Sequence, residues 1–353
     1  MKRIRVLVVD DSPTSRLLLV EILRADDEIE VVGQAADGFQ AVEMVKRLRP
    51  DIVTMDVQMP RLDGFAATKR IMVEAPTPIL ITTSVDPRAL TVSREAVRMG
   101  ALAVQAKPGD PRAPGFDEEA SELVRQVKAM SQVKVVRHYD REPARMPASD
   151  AFTAAVPHDA PAEVVAIAAS TGGPAALHRI LTTLPADFPV PILVVQHMSR
   201  GFGPGFAGWL DKVSPLRVKL AEEREALRPG TVYVAVDDHH LCVSPSRRIH
   251  LSTAPAVGGF RPSGTVLFDS VAVAFGSGAV AVILTGMGRD GVDGLHAIRR
   301  AGGRTIAESE ATAVVYGMPA AAVQAGLVDV ILPLDQVCAA VAGLLLFSAP
   351  TKA

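Results

Sequence analysis

Residues Val164–Leu177 read VVAIAASTGGPAAL. An unbroken apolar run of strand length ends in a hydroxyl pair, two glycines and a proline. A helix-like pattern follows. Pro174 suits the first turn of a helix, where its missing N–H is not needed. The stretch therefore predicts a strand, a tight loop and a helix, with Ser170 delivered to the edge of a sheet. The same pattern recurs along the chain.

Further on, VPILVVQ, TVYVAV, HLCVS, AVAVILT and LVDVIL are strand candidates. Helical patterns follow Pro174, Gly203, Gly264, Asp290, Tyr316 and Asp335. Some antiparallel pairing is expected around Val232–Ser244. Toward the N-terminus, IRVLVV, EVVGQA, DIVTMD, PILITT and ALAVQAK read as strands. Ala41, Met44, Val45 and Leu48 mark one face of a helix. Ser12-Pro13 reads as a cap with proline in the first turn. FDEEASELVRQVKAM closes the series with acids in its first turn. Strands alternating with helices imply parallel, doubly wound sheets in both halves. Between residues 131 and 161 the periodicity fades, and Pro143, Pro147, Pro157 and Pro161 punctuate a linker.

The chain has 353 residues, enough for two domains with full cores. Its net charge of -2 offers no overall basic field for nucleic acid, so no nucleic-acid partner is expected. The two cysteines, Cys242 and Cys338, have no metal-type spacing and read as small buried hydrophobes. MKRIRVLVVDD reads as a strand, because its apolar run stops at Asp10. No run approaches the ~18 apolar residues of a membrane span. The expectation is a cytoplasmic protein without membrane insertion.

In an open parallel sheet, ligands sit beyond the carboxyl ends of the strands, where the strand order reverses. For the order 2-1-3-4-5 that point lies between strands one and three. Asp10 and Asp11 end the first predicted strand, Asp56 the third, Thr83 the fourth and Lys107 the fifth. Converging carboxylates repel one another unless a cation or proton intervenes, and oxygen ligands suit Mg²⁺. Lys107 would neutralise phosphoryl oxygens, and Thr83 would hydrogen-bond one. Residue by residue, these groups also read as turn formers and a surface charge.

VVDDSPTSR, DVQMPRLDG and AKP resemble the receiver domain of two-component response regulators, a flavodoxin-like fold. The resemblance implies that Asp56 accepts a phosphoryl group from a histidine kinase. It also implies that Asp11, Asp56 and the Gln58 carbonyl hold Mg²⁺, with Asp10 acting through water. Three residues before the lysine, where receivers often carry a switching aromatic, this chain has Val104.

A phosphate loop would need a lysine near the glycines of ASTGGPAAL, and none is there. A serine nucleophile needs a base, and the base an orienting group. Among eight histidines, His197 follows the apolar strand PILVVQ. Asp290 follows AVAVILT and a glycine-rich loop. Ser170, His197 and Asp290 thus each stand at a strand end, where a capping role is the alternative for any one of them. Asp237, Asp238, His239 and His240 suggest a metal, but a polar hairpin turn accounts for them as well.

ASTGGPAAL, VVQHM, RPSGTVLFDSVA, LTGMGRDG and AESEATAVVYGMP resemble the catalytic domain of bacterial chemotaxis protein-glutamate methylesterases. The order receiver, linker, esterase is that family's. The resemblance implies a receiver over 1–130, a linker over 131–161 and a three-layer α/β methylesterase domain over 162–347. It implies Ser170 as nucleophile, His197 as base and acid, Asp290 as orienter and the Met287 N–H as oxyanion donor, with no cofactor for the ester chemistry. The implied substrates are glutamate γ-methyl esters, and glutamines, on chemoreceptor cytoplasmic helices. Phosphorylation would relieve restraint by the receiver. In HMSRGFGPGFAGWL, a mobile loop carrying Arg200 and Phe202 toward a receptor helix competes with a tight turn before a packed helix. A non-enzymatic response regulator and an esterase for another signalling substrate are the rival readings.

Overall fold

The apolar runs of the N-terminal half become β1 (Ile4–Val9), β2 (Ile29–Ala35), β3 (Ile52–Asp56), β4 (Ile79–Thr83) and β5 (Ala103–Ala106). A computed structural model describes residues 3–84, 103–131, 161–198 and 201–343. It divides into two units, Met1–Arg145 and Met146–Ala353. The five strands form one parallel sheet in the order β2-β1-β3-β4-β5, as expected. Alternate residues of β1 serve opposite faces, as the two-residue strand period requires. Leu7 and Val9 pack with Ala41, Val45, Ala67 and Ile71. Val6 and Val8 pack with Leu19, Leu23, Leu123 and Val127. The helices on these faces are Pro13–Arg24, Gly38–Leu48, Gly64–Glu74 and Phe116–Ser131. Ser12, Asp37 and Asp63 cap the first three by accepting an N–H of the opening turn. The order reverses between β1 and β3, so Asp10 and Asp56 emerge side by side.

The second unit holds β6 (Val164–Ala169), β7 (Ile192–Gln196), β8 (Arg217–Leu220), β9 (Thr231–Val234), β10 (His240–Val243), β11 (Ile249–Ser252), β12 (Ala279–Ile283), β13 (Arg304–Glu308) and β14 (Val330–Leu332). Seven of them make a parallel sheet in the order β14-β13-β12-β6-β7-β9-β8. The expected antiparallel pairing lies one strand later in the chain. β9 runs parallel between β7 and β8, and β10 pairs antiparallel with β11. RVKL, IHLS and RTIAE are strands without the apolar runs that mark the others. They are short and carry charged or polar residues, and their pairing partners keep them extended. Helices Gly173–Thr183, Phe202–Val213, Gly264–Phe275, Val292–Arg300, Met318–Gln324 and Leu334–Gly343 follow the expected starts closely.

β6 and β12 are central and buried along their whole length. Val164, Ala166 and Ala168 meet Leu267, Phe268 and Val271 across the sheet face. Phe202 and Trp209 are buried in one helix capped by Gly201, whose φ of 87° favours glycine. The tight-turn reading therefore describes Phe202. Arg200 lies outside the described residues, as does nearly all of the expected linker.

Helices Gly264–Phe275 and Val292–Arg300 approach closely at Gly294. A Cβ there would lie 2.6 Å from the Thr265 carbonyl oxygen and 2.7 Å from the Phe268 Cβ. Overpacking costs about 1–3 kcal/mol, and helix propensity returns at most about 1 kcal/mol. Backbone atoms cannot rotate away, so the clash dominates. Gly294→Ala is expected to lower the unfolding midpoint of the second unit in calorimetry; an unchanged midpoint would show that the helices part freely.

Candidate active site

Strand pairing brings the predicted nucleophile and base together. Ala169 of β6 is in register with Gln196 of β7. The His197 N–H donates to the Ala169 carbonyl at 3.0 Å, so Ser170 and His197 are the first residues beyond adjacent strands. On the other side, β12 pairs with β6, and the Ser170 N–H donates to the Thr285 carbonyl at 3.0 Å. The loop after β12 closes tightly on the serine. A Cβ on Gly286 would lie 2.7 Å from the Ser170 Cβ. Ser170 itself is half-buried and so remains reachable.

The same loop carries Asp290, which is buried. Its carboxylate accepts from Ser263 Oγ at 2.6 Å, Gly264 N–H at 2.6 Å and Thr265 N–H at 3.2 Å. These donors open helix Gly264–Phe275, whose positive end favours a negative charge. His197 Nε2 lies 2.8 Å from Asp290 Oδ2. Burial alone would push the carboxyl upward. The His197 hydrogen bond and charge, with Ser263 and Gly264, outweigh it and bring the pKa down to about 2. His197 Nδ1 is buried and has no hydrogen-bond partner among the described residues. Phe260 stacks on the ring with centroids 4.0 Å apart and planes 4° apart.

The peptide between Gly286 and Met287 is held from behind. The Gly286 carbonyl accepts from Gly317 N–H at 3.1 Å and Met318 N–H at 2.8 Å. In a trans peptide the next N–H points the opposite way, so that of Met287 faces away from these donors. Thr285 is anchored in turn, its N–H on the buried Glu308 carboxyl at 2.9 Å and its hydroxyl on the Thr171 carbonyl at 2.8 Å. Sequence reasoning missed Ser263, Gly264, Thr265, Phe260 and Gln196 as neighbours of the site. RPSGTVLFDSVA is among the motifs that carry the resemblance, but nothing local shows that its first turn points at Asp290. His239 and His240 bind backbone carbonyls of Asp237 and Pro255 and join no metal-type cluster among the described residues.

In the N-terminal unit, Asp10, Asp11 and Asp56 bring one carboxylate oxygen each within 4.8 Å of one another. Lys107 Nζ lies 2.7 Å from Asp10 and 3.0 Å from Asp56. Asp10 also accepts from Ser12 N–H at 2.9 Å and Ser15 Oγ at 2.6 Å. Burial chiefly raises the Asp56 pKa; Lys107 opposes this and Asp10 adds to it. One ammonium does not balance three carboxylates, and this all-oxygen donor set fits a hard divalent cation such as Mg²⁺. Asp11 and Gln58 border a shallow depression beside it. Thr83 ends β4, and its carbonyl accepts the Lys107 N–H at 3.0 Å. Val104 pairs with Ile81 and packs on the core.

A CheB methylesterase family model matches residues 165–341, and a response regulator receiver domain model matches residues 6–113. Protein-glutamate methylesterase/protein-glutamine glutaminase 3 of Anaeromyxobacter dehalogenans is 55% identical over 336 residues, covering 95% of this chain and 97% of that protein. Protein-glutamate methylesterase/protein-glutamine glutaminase 4 of Myxococcus xanthus is 51% identical over 332 residues, covering 94% of each. The crystal structure of the Thermotoga maritima CheB methylesterase catalytic domain aligns with a TM-score of 0.51 and 39% identity, over 52% of this chain and 100% of that one. With the paired strand ends, the buried carboxylate and the acidic cluster already in view, these matches show that the chain belongs to the CheB methylesterase family, with a response regulator receiver domain at its N-terminal side.

Proposed function

We propose that this chain is a phosphorylation-activated methylesterase and glutaminase acting in the cytoplasm on glutamate γ-methyl esters and glutamines of chemoreceptor helices. Its triad is Ser170, His197 and Asp290. The observation that carries the reading is the 2.8 Å bond between His197 Nε2 and Asp290, with Nδ1 left without a partner among the described residues and Ser170 and His197 standing just beyond adjacent strands. A carboxylate with a pKa of about 2 is ionised at neutral pH and accepts hydrogen bonds only. The proton of that hydrogen bond therefore belongs to Nε2, and in the neutral ring Nδ1 is the basic atom.

Ser170 Oγ attacks the ester carbonyl as Nδ1 takes its proton. The Met287 N–H donates to the oxyanion; one such donor is worth roughly 10²–10³ in rate. The imidazolium, held against Asp290, returns the proton to departing methanol. Water then enters, is deprotonated by His197 and releases glutamate. With glutamine the leaving group is ammonia and the other steps are unchanged. Phe260 covers one face of the ring and limits its rotation.

The receiver runs over residues 1–130 and the esterase domain over 162–347, joined by a linker. Asp56 is the phosphoryl acceptor from a histidine kinase. Asp11, Asp56 and the Gln58 carbonyl would hold Mg²⁺, which when bound offsets charge on the phosphoryl oxygens. Lys107, Thr83 and Asp10 support that site.

Three outcomes test this reading. With methyl-labelled receptor membranes, Ser170→Ala should release no methanol. Asp290→Asn should lose about 10⁴ in kcat while remaining folded by circular dichroism; retention of most activity in either variant removes that residue from the triad. Acetyl phosphate with Mg²⁺ should label the wild type and not Asp56→Asn, and equal labelling would exclude Asp56. The third outcome concerns acid. The Asp290 pKa is depressed by folding, so its contribution to stability is whole above the unfolded value of about 3.9. It is lost as pH falls toward about 2. A carbon-13 titration of the Asp290 carboxyl should therefore stay flat down to about pH 3, and a midpoint near 4 would contradict the buried bond.

A further inference from the structure

Gln196 ends β7, and its buried side chain reaches both reactive loops. Its Nε2 donates to the Ser170 carbonyl at 2.8 Å and to the His197 carbonyl at 2.8 Å. One amide nitrogen thus places its two protons on the carbonyls of the proposed nucleophile and base. Amide orientation is assigned from the hydrogen-bond network. Turned over, the amide would press Oε1 against two carbonyl oxygens, so the network permits one orientation. Oε1 has no hydrogen-bond partner among the described residues, and it sits 2.0 Å from where a Cβ on Gly173 would be. Gly173 is the first residue of helix Gly173–Thr183, where the helix dipole is positive. The amide dipole therefore runs from the helix N-terminus to the two carbonyls and matches charge at both ends.

Other bonds also hold these backbones, one of them across the paired strand ends. The Ser170 N–H is fixed by Thr285, and its carbonyl accepts the Gly173 N–H at 2.8 Å as well. The His197 N–H is fixed by Ala169. The Gln196 amide joins the two carbonyls to each other.

We propose that Gln196 is a positioning residue for the hydrolysis: its amide clamps the Ser170 and His197 backbones and so sets the approach of Ser170 Oγ to His197 Nδ1. This inference rests on the Ser170–His197–Asp290 reading. It deepens that reading by giving a role to a group outside the triad. Misplacement by about 1 Å can lower a rate on the order of 10²-fold. Substrate binding does not use the clamp, so the loss falls on kcat and spares KM.

The test compares full-length Gln196→Met, Gln196→Glu and Gly173→Ala with wild type, well below their unfolding midpoints, on methylated receptor membranes. Gln196→Met keeps the length and removes the donor. Gly173→Ala leaves Gln196 in place and drives a methyl into the space of Oε1. Both should lose on the order of 10²-fold in kcat with KM little changed. Gln196→Glu adds a signature that a loss of folding would not produce. A carboxylate repels both carbonyls, whereas a protonated carboxyl donates to one. Its kcat relative to wild type should therefore rise as pH falls. Wild-type kcat in Gln196→Met or Gly173→Ala, with Ser170→Ala inactive, would overturn the clamp and leave the triad standing. An active Ser170→Ala would overturn the triad, and the clamp with it. If Gln196→Met does not fold, Gly173→Ala and the pH ratio of Gln196→Glu decide.

Discussion

A buried carboxylate persists in ionised form only where donors surround it, and Asp290 gathers four. Ser263 Oγ, the Gly264 and Thr265 N–H groups and His197 Nε2 all point at its two oxygens. These donors come from the loop after β7 and from the start of helix Gly264–Phe275, while Asp290 itself follows β12. One charge therefore ties three separate segments together at a single rim of the sheet. The close approach needs room, and Gly264 provides it: a Cβ there would lie 2.7 Å from the Ala168 Cβ. The imidazole inherits its orientation from this anchor, and the stacked Phe260 ring restricts it further.

The acidic cluster of the receiver solves the opposite problem. Asp290 is surrounded by donors and is held low, at about 2. Asp56 is also buried, but its neighbours are Lys107 and a second acid, and its pKa moves upward. The contrast follows from the company each acid keeps, since both are buried on the carboxyl side of a parallel sheet. Three clustered carboxylates make a negative field that suits a hard cation.

The geometry also explains two glycines that meet at the Gly286–Met287 peptide. Gly286 lies against Ser170, and Gly317 lies against the Gly286–Met287 peptide, where its Cβ would be 2.6 Å from the Gly286 carbonyl oxygen. Side chains at these two positions would separate the loop from Ser170 or rotate the peptide that carries the Met287 N–H. The Gln196 amide works on the opposite side of Ser170. Together these contacts hold the serine backbone between two neighbouring strands.

Element order and type were legible in the sequence because they depend on local signals. Apolar run length marked β6, β7 and β12, and Ser12, Pro13 and Pro174 marked helix starts. The strand-end positions of Ser170, His197, Asp10, Asp56 and Lys107 followed from the same reading, whereas Asp290 lies beyond the loop after β12, next to helix Val292–Arg300. What lay beyond it were relations between distant segments. β9 entered the parallel sheet because its neighbours are β7 and β8, which its own pattern TVYV cannot specify. RVKL and RTIAE became strands through pairing rather than through apolar character. The donors that hold Asp290, the ring that covers His197 and the amide that bridges Ser170 to His197 are likewise contacts made only when loops converge. Periodicity is a property of a few consecutive residues, whereas a hydrogen bond between Ser263 and Asp290 exists only once the helix and the strand end have packed; the first was written in the chain, and the second was decided by the tertiary fold.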